Sequence, residues 1–365
     1  MAEPNKTRIV VLLGILFLCL LTFLAWRTYA ARPRVEISRA KIVKSNYHFI
    51  PEHWQEKGLE QLRDQENFKD IQSKDQLDLF LKLCDWTHNQ WQHSNPEPYP
   101  LCNAIAILAD IRSGKTGGFC GQYSYVLADV LKAMGFFAVR YVELSSYQGD
   151  GHFVVEVWSE QFNKWMVLDP DQNLYYEFKD TQIPANAYEI RNSFLNNDGS
   201  VSARSADDAR KELGDGKNHL YANFAVSLRS DLMRHPRPLT IKDRFDMFLF
   251  YRDRHTRLES FKNKRIPYAL ITSRLEDVYF DCNCVRAEYK INRKQKTIDF
   301  SFVTDGSAFN FKGFMASLDR GKKWAPLPGQ YSWPADARDL EVMVAPVNMA
   351  GRLGAITTIR INPGK

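Results

Sequence analysis

Gly117-Gly118-Phe119-Cys120-Gly121-Gln122-Tyr123-Ser124 decides how this chain is read. It places a cysteine one residue beyond a double glycine and at the start of a helical pattern. Tyr123, Val126, Leu127, Val130, Leu131 and Met134 recur with the helical period as one apolar stripe, and Gly135 ends it. The positive end of a helix favours thiolate over thiol, and thiolate is the nucleophile. A structural cysteine has no need of that place. The loop Lys115 to Gly118 is expected to let a substrate backbone come close.

Around this stretch the pattern changes period. Upstream, Ser73-x-x-Gln76 has the form of a capping box, and Leu77, Phe80, Leu81, Cys84 and Trp91 follow at helical spacing. A second helix is expected from Asn103 to Arg112, stopping at Gly114. Downstream, Phe136 to Leu144, His152 to Trp158 and Lys164 to Asp169 read as strands, the last stopped by Pro170. A nucleophilic cysteine needs a base, and the base needs an orienting group. His152 and Asp169 open and close consecutive strands. A hairpin centred between residues 160 and 161, within the loop Ser159 to Asn163, sets His152 opposite Asp169, Val154 opposite Val167 and Glu156 opposite Trp165. Opposed residues lie about 5 Å apart at Cβ, within reach of an imidazole–carboxylate bond that leaves the other ring nitrogen for sulfur.

These segments carry a family resemblance. Gly118 to Ser124, the helix end Met134-Gly135, Gly151-His152-Phe153-Val154-Val155-Glu156-Val157-Trp158 and Trp165-Met166-Val167-Leu168-Asp169-Pro170 resemble, in order, the three core motifs of the transglutaminase-like superfamily. Ile107-Leu108 to Arg112-Ser113-Gly114 resembles the segment before its nucleophile, so that the likeness covers roughly residues 70 to 175. The resemblance implies an α+β, papain-like core with a Cys-His-Asp triad. Cys120 would attack an amide or ester carbonyl, His152 would take the thiol proton and later protonate the leaving amine, and Asp169 would orient His152. It leaves the reaction open, because the superfamily includes amide crosslinkers, peptidases and deglycosylating amidases. No cofactor is expected. One departure concerns the oxyanion: no glutamine lies just before Cys120. The Cys120 N–H is one candidate donor, and Gln90, Trp91 and Trp86 are others. Phe153 stands where many relatives have a small residue, to narrow the cleft or to pack.

The rest of the chain bounds the setting. Its 365 residues, 44% hydrophobic and 25% charged, suit two globular domains and a short extra segment. The net charge of +6 is scattered and forms no basic face, which argues against a nucleic-acid partner. Residues 1–34 are expected to be a membrane anchor, with the uncharged run Ile9 to Trp26 as its span and a polar tether from Ala31 to about Lys44. A cleaved signal peptide is the rival, but Thr28-Tyr29-Ala30 is a poor cleavage site. A single-pass protein with its catalytic domain outside the cytoplasm follows from the anchor reading.

The expected division is a transglutaminase-like domain over 35–235, a connecting segment over 236–265 and an all-β domain over 266–365. The last rests on short strand-like runs: Asp277 to Phe280, Val285 to Ile291, Thr297 to Val303, Phe314 to Leu318, Leu340 to Ala345 and Ile356 to Ile361. With Trp324 they suggest an immunoglobulin- or fibronectin-like sandwich. Cys84 and Cys102 either pair or are buried free thiols. Cys282-Asn283-Cys284 lacks a second ligand pair, so no metal site is expected there. His219, His235 and His255 read as surface or structural, and Arg229 and Arg234 as a solvated basic face.

Two functions fit. One is a membrane-tethered thiol hydrolase or acyltransferase acting on protein, peptide or cell-envelope material. The other is a non-catalytic scaffold or binding protein of the same fold in envelope polysaccharide assembly. A decayed site usually loses a triad member, and here all three residue types are present.

Overall fold

Nine strands in one sheet carry the middle of the chain. The structure, a computed structural model, describes residues 20–22, 33–39, 41–66, 68–234, 247–262, 266–304, 308–335 and 340–362. Among the described residues, the helices α1 (Lys57–Glu66), α2 (Gln76–His88), α3 (Ala104–Arg112) and α4 (Cys120–Ala133) precede the sheet. The strands are β2 (Val139–Ser145), β3 (Gly151–Ser159), β4 (Lys164–Asp169), β5 (Leu174–Phe178), β6 (Val201–Ser205), β7 (Glu212–Gly214), β8 (Asn223–Ser227), β9 (Phe248–Tyr251) and β10 (Ile271–Thr272). Their spatial order is β10-β9-β8-β2-β3-β4-β5-β6-β7, antiparallel except between β9 and β10.

Alternation along the strands sends side chains into two cores. Phe153, Val155 and Val157 of β3 join Val126, Leu127, Val130 and Leu131 of α4 in one. Val154 and Val167 join Ala187 and Ile190 of α5 (Ala187–Asn196) in the other. Helix α4 is therefore buried almost all round, which its apolar stripe alone did not require.

Two local expectations change. Asp75, rather than Ser73, caps α2, its side chain accepting the Asp78 N–H at 2.8 Å. Gln76 is thereby free to reach the β3–β4 turn, where its Oε1 accepts from Ser159 Oγ at 2.9 Å and from the Gln161 N–H at 3.0 Å. The helix also ends at His88, so Trp91 lies beyond it.

The C-terminal strands form two facing sheets. One has the order β1-β17-β16-β13-β14 and the other β11-β12-β15. These are β11 (Arg286–Asn292), β12 (Thr297–Val303), β13 (Phe311–Ser317), β14 (Ala325–Leu327), β15 (Gln330–Pro334), β16 (Leu340–Asn348) and β17 (Thr357–Asn362). Ile298, Phe300 and Phe302 alternate inward from β12 to meet Phe314, Val342, Val344 and Ile359. Strand β1 is Arg34–Ile37, paired with β17 through Val35↔Ile361. The expected tether thus contains a strand of the C-terminal sheet, because Val35 and Ile37 have an apolar face to add to that core.

The expected connecting segment contains β9, which continues the central sheet beside β8 through Val226↔Leu249. Asp277 to Phe280 is not a strand: Leu275–Val278 forms the short helix α6. Its end is fixed to the sheet by Arg140 Nη1, which donates to the Val278 carbonyl at 2.5 Å, and by Trp165 Nε1, which donates to the Phe280 carbonyl at 3.0 Å. Of the expected span over 9–26, only 20–22 fall within the described residues. Among the described residues no helix is long and apolar enough to cross a membrane.

Candidate active site

The nucleophile candidate is held by close packing of the loop before it. A Cβ on Gly118 would lie 2.7 Å from Trp91 Nε1 and 2.9 Å from Ile111 Cδ1. One on Gly117 would lie 2.4 Å from Ser94 Oγ and 2.5 Å from the Asn95 carbonyl. The double glycine is therefore filled by the chain's own residues 91–95, where the sequence suggested room for a substrate. Ser94 N–H donates to the Gly118 carbonyl at 2.8 Å, and the indole of Trp91 stacks on Tyr123 at 4.1 Å. This fixes where α4 begins, with partly exposed Cys120 as its first residue. Phe119 at the N-cap has no polar side chain to offer the first-turn amides, and those amides have no acceptor within the helix.

The base is fixed from β3. Ser124, one turn after Cys120, donates to the carbonyl of Phe153 at 2.9 Å, so α4 is fastened beside His152. Phe153 itself packs, stacked on Tyr141 at 5.7 Å and buried among Tyr125 and Phe248. It does not narrow a cleft.

The imidazole Nε2 of His152 meets Asp169 Oδ2 at 2.6 Å, with side-chain exposures of 5% and 1%. Burial alone would lower the pKa of His152. The Asp169 charge and hydrogen bond, joined by interaction with Cys120, overcome that and raise it from 6.5 to about 10. With Nε2 engaged by the carboxylate, Nδ1 is the nitrogen left for sulfur.

The expected register is corrected. The strands pair Val155↔Leu168, Glu156↔Val167, Val157↔Met166, Trp158↔Trp165 and Ser159↔Lys164. Continuing it sets Asp169 opposite Val154, two residues from His152, so the pair meets diagonally on one face. The shift follows from a loop of residues 160–163, which ends on Asn163 in the left-handed region at φ 52°. Gln76 holds this turn from α2.

The same register, continued past β4, brings residue 171 toward His152. One donor atom each from Cys120, His152 and Asp171 lie within 4.8 Å of one another. Asp171 is only 5% exposed and was not singled out in the sequence. Its Oδ1 meets His93 Nδ1 at 2.6 Å, and its Oδ2 accepts from Gln172 Nε2 at 3.4 Å. The turn carrying Asp169 and Asp171 is pinned to α2: His88 Nδ1 meets the Pro170 carbonyl at 3.0 Å, and Asn173 Nδ2 donates to Asp85 Oδ1 at 2.7 Å. The sequence signal for Asp171 was Asn163, whose tolerance of positive φ selects the four-residue loop and with it the register.

The side-chain oxyanion candidates point elsewhere. Gln90 Nε2 donates to the Trp86 carbonyl at 2.9 Å, and its Oε1 accepts from Arg112 at 2.5 Å. Trp91 Nε1 donates to the Gly118 carbonyl at 3.3 Å, and Trp86 packs edge-on against Phe68.

Cys84, Cys102, Cys282 and Cys284 are buried thiols outside any disulfide, which removes the pairing of Cys84 with Cys102. Arg229 is held by Asp231 at 2.7 Å, and Arg234 lies 3.3 Å from both Glu52 and Glu56, so neither makes a bare basic face. His219 and His255 are exposed, and His235 lies outside the described residues.

A thiol at a helix start, an imidazole beside it and a carboxylate on the far ring nitrogen define the cysteine-nucleophile class of site. Residues 68–170 match the transglutaminase-like superfamily, and the chain carries a domain of that superfamily there. None of the curated proteins matches the chain. Superfamily members are usually enzymes with a Cys-His-Asp triad, and the match ends just past Asp169.

Proposed function

We propose that this protein is a thiol enzyme with a papain-like transglutaminase core, acting on amide bonds of protein, peptide or cell-envelope material. The single observation that carries the reading is the ordered chain thiol, imidazole, carboxylate, with His152 and Asp169 at 2.6 Å and both buried. The proton of Cys120 already rests on the His152 imidazole, at Nδ1, and Sγ adds to the substrate carbonyl carbon. The tetrahedral oxyanion is met by the open first-turn amides of α4, Cys120 N–H foremost. His152 returns the proton to the leaving amine, and the thioester passes to water or to a second amine. Asp169 keeps the imidazole in the productive tautomer throughout.

Hydrolysis is the reading preferred over crosslinking, since water is the abundant acceptor. The C-terminal sheets serve as an immunoglobulin- or fibronectin-like spacer or binding surface. An anchor over 9–26 holds the enzyme at a membrane, with its catalytic domain outside the cytoplasm. A pure scaffold would have no use for the buried carboxylate on His152.

Iodoacetamide labelling tests the reading. Cys84, Cys102, Cys282 and Cys284 are buried, so their slow labelling decides nothing. The informative comparison is Cys120 in the native chain against Cys120 in His152→Ala. The variant is expected to label at least tenfold more slowly at neutral pH. Equal rates would reject the reading. Envelope extracts incubated with the wild type and with Cys120→Ser, compared by mass spectrometry, then identify the substrate.

A further inference from the structure

The second acid of the site has no part in the thiol chemistry just derived. Asp171 nevertheless places a carboxylate oxygen within 4.8 Å of both the Cys120 sulfur and a His152 ring nitrogen. We propose that Cys120 Sγ, His152 Nδ1 and the Asp171 carboxylate form a reversible site for a Zn²⁺-class cation, which masks the nucleophile when bound.

The donor set is one thiolate, one imidazole and one carboxylate. That is three protein ligands with the fourth tetrahedral position left to water, a pattern proper to zinc. Zn–S distances of about 2.3 Å and Zn–N or Zn–O distances of about 2.1 Å put ligand atoms roughly 3.3–3.6 Å apart. A group already within 4.8 Å closes to that by small side-chain rotations.

The supporting residues have the form that metal sites require. A metal-bound histidine presents one nitrogen and has the other held by a carboxylate, as Asp169 holds Nε2 here at 2.6 Å. A ligating carboxylate is itself hydrogen-bonded, as Asp171 is by His93 at 2.6 Å. The first contact leaves Nδ1 of His152 for the ion, and Oδ2 of Asp171, which accepts only the long contact from Gln172 Nε2 at 3.4 Å, keeps a lone pair for it. The thiolate and carboxylate charges balance the dication. The thiol and imidazole share one proton, and binding both to the metal releases that proton to solvent. Binding does not depend on the enzyme reading; only the consequence for turnover does.

The test titrates ZnCl₂ into the full-length protein and follows iodoacetamide labelling of Cys120. One equivalent is expected to protect Cys120, and EDTA is expected to restore labelling. Asp171→Asn keeps the thiol and imidazole and removes one ligand charge. It is expected to raise the concentration for half-protection by roughly 10–100-fold or more. Labelling of zinc-free wild type against zinc-free His152→Ala measures the enzyme reading separately, so the two ideas fail independently. Unchanged labelling at saturating Zn²⁺, or equal protection of Asp171→Asn, would overturn the site. Should that variant not fold, Co²⁺ decides on the wild type. A thiolate-to-Co²⁺ charge-transfer band that vanishes on alkylating Cys120 supports the site, and no such band rejects it.

Discussion

Replacing Asp169 with asparagine keeps the shape of the site and removes the charge that makes His152 a cation. In the wild type the imidazole is raised from 6.5 to about 10, against a burial that alone would lower it. At about 1.36 kcal/mol per pKa unit, that shift is on the order of 5 kcal/mol of preference for the charged ring. At pH 7 the wild-type ring is then cationic by about a thousand to one. Without the Asp169 charge, burial leads, and the ring is expected to titrate below about 6.5.

Two measurements follow. Histidine NMR of the full chain should move the His152 midpoint from near 10 to below neutrality. Cys120 labelling at pH 7 should slow, and any amide turnover should fall by roughly 10²–10⁴-fold. Linkage gives the sign for stability. A group raised in the folded state contributes fully below its unfolded pKa of 6.5, and that contribution is lost as pH rises through about 10. The stability gap between wild type and Asp169→Asn should therefore narrow across that window. A midpoint that stays near 10 in the variant, or a gap that does not vary with pH, would refute this account of the pair.

Three further outcomes are expected. Glu156 Oε2 holds Arg140 at 2.6 Å with both buried, so Glu156→Gln should cost about 3–5 kcal/mol in urea denaturation; a loss under 1 kcal/mol would show that the pair is not essential. Gly118→Ala forces a Cβ to 2.7 Å from Trp91 and should cost about 1–3 kcal/mol, an effect that a Trp91→Phe background should reduce if the clash is with the indole nitrogen. Asp253 loses some preference for charge by burial, but its hydrogen bond and charge contact with Arg191 outweigh that and hold it near 2, below 3.8. Its contribution is present above 3.8 and lost as pH falls toward 2, so Asp253→Asn should flatten that part of the acid-denaturation profile; parallel profiles would count against the pair.

The cysteine-bearing helix, its glycine stop and the strand Lys164–Asp169 were legible in the residues, because local period and capping chemistry decide them. So was the identity of the pair His152 and Asp169. What misled was turn geometry. A hairpin register shifts with loop length, and a loop closed by left-handed Asn163 moves every partner by two residues. The carboxylate then reaches the imidazole diagonally, and Asp171 enters the site.

Sequence alone determined which groups the site could contain, since side-chain chemistry and helix polarity are local properties. Only the tertiary structure decided three other things. Gly117 and Gly118 are filled by residues 91–95. Arg34–Ile37 completes a sheet more than 300 residues away in the chain. A second acid stands beside the thiol. Each depends on contacts between distant segments, and close packing settles those only when all the segments are in place.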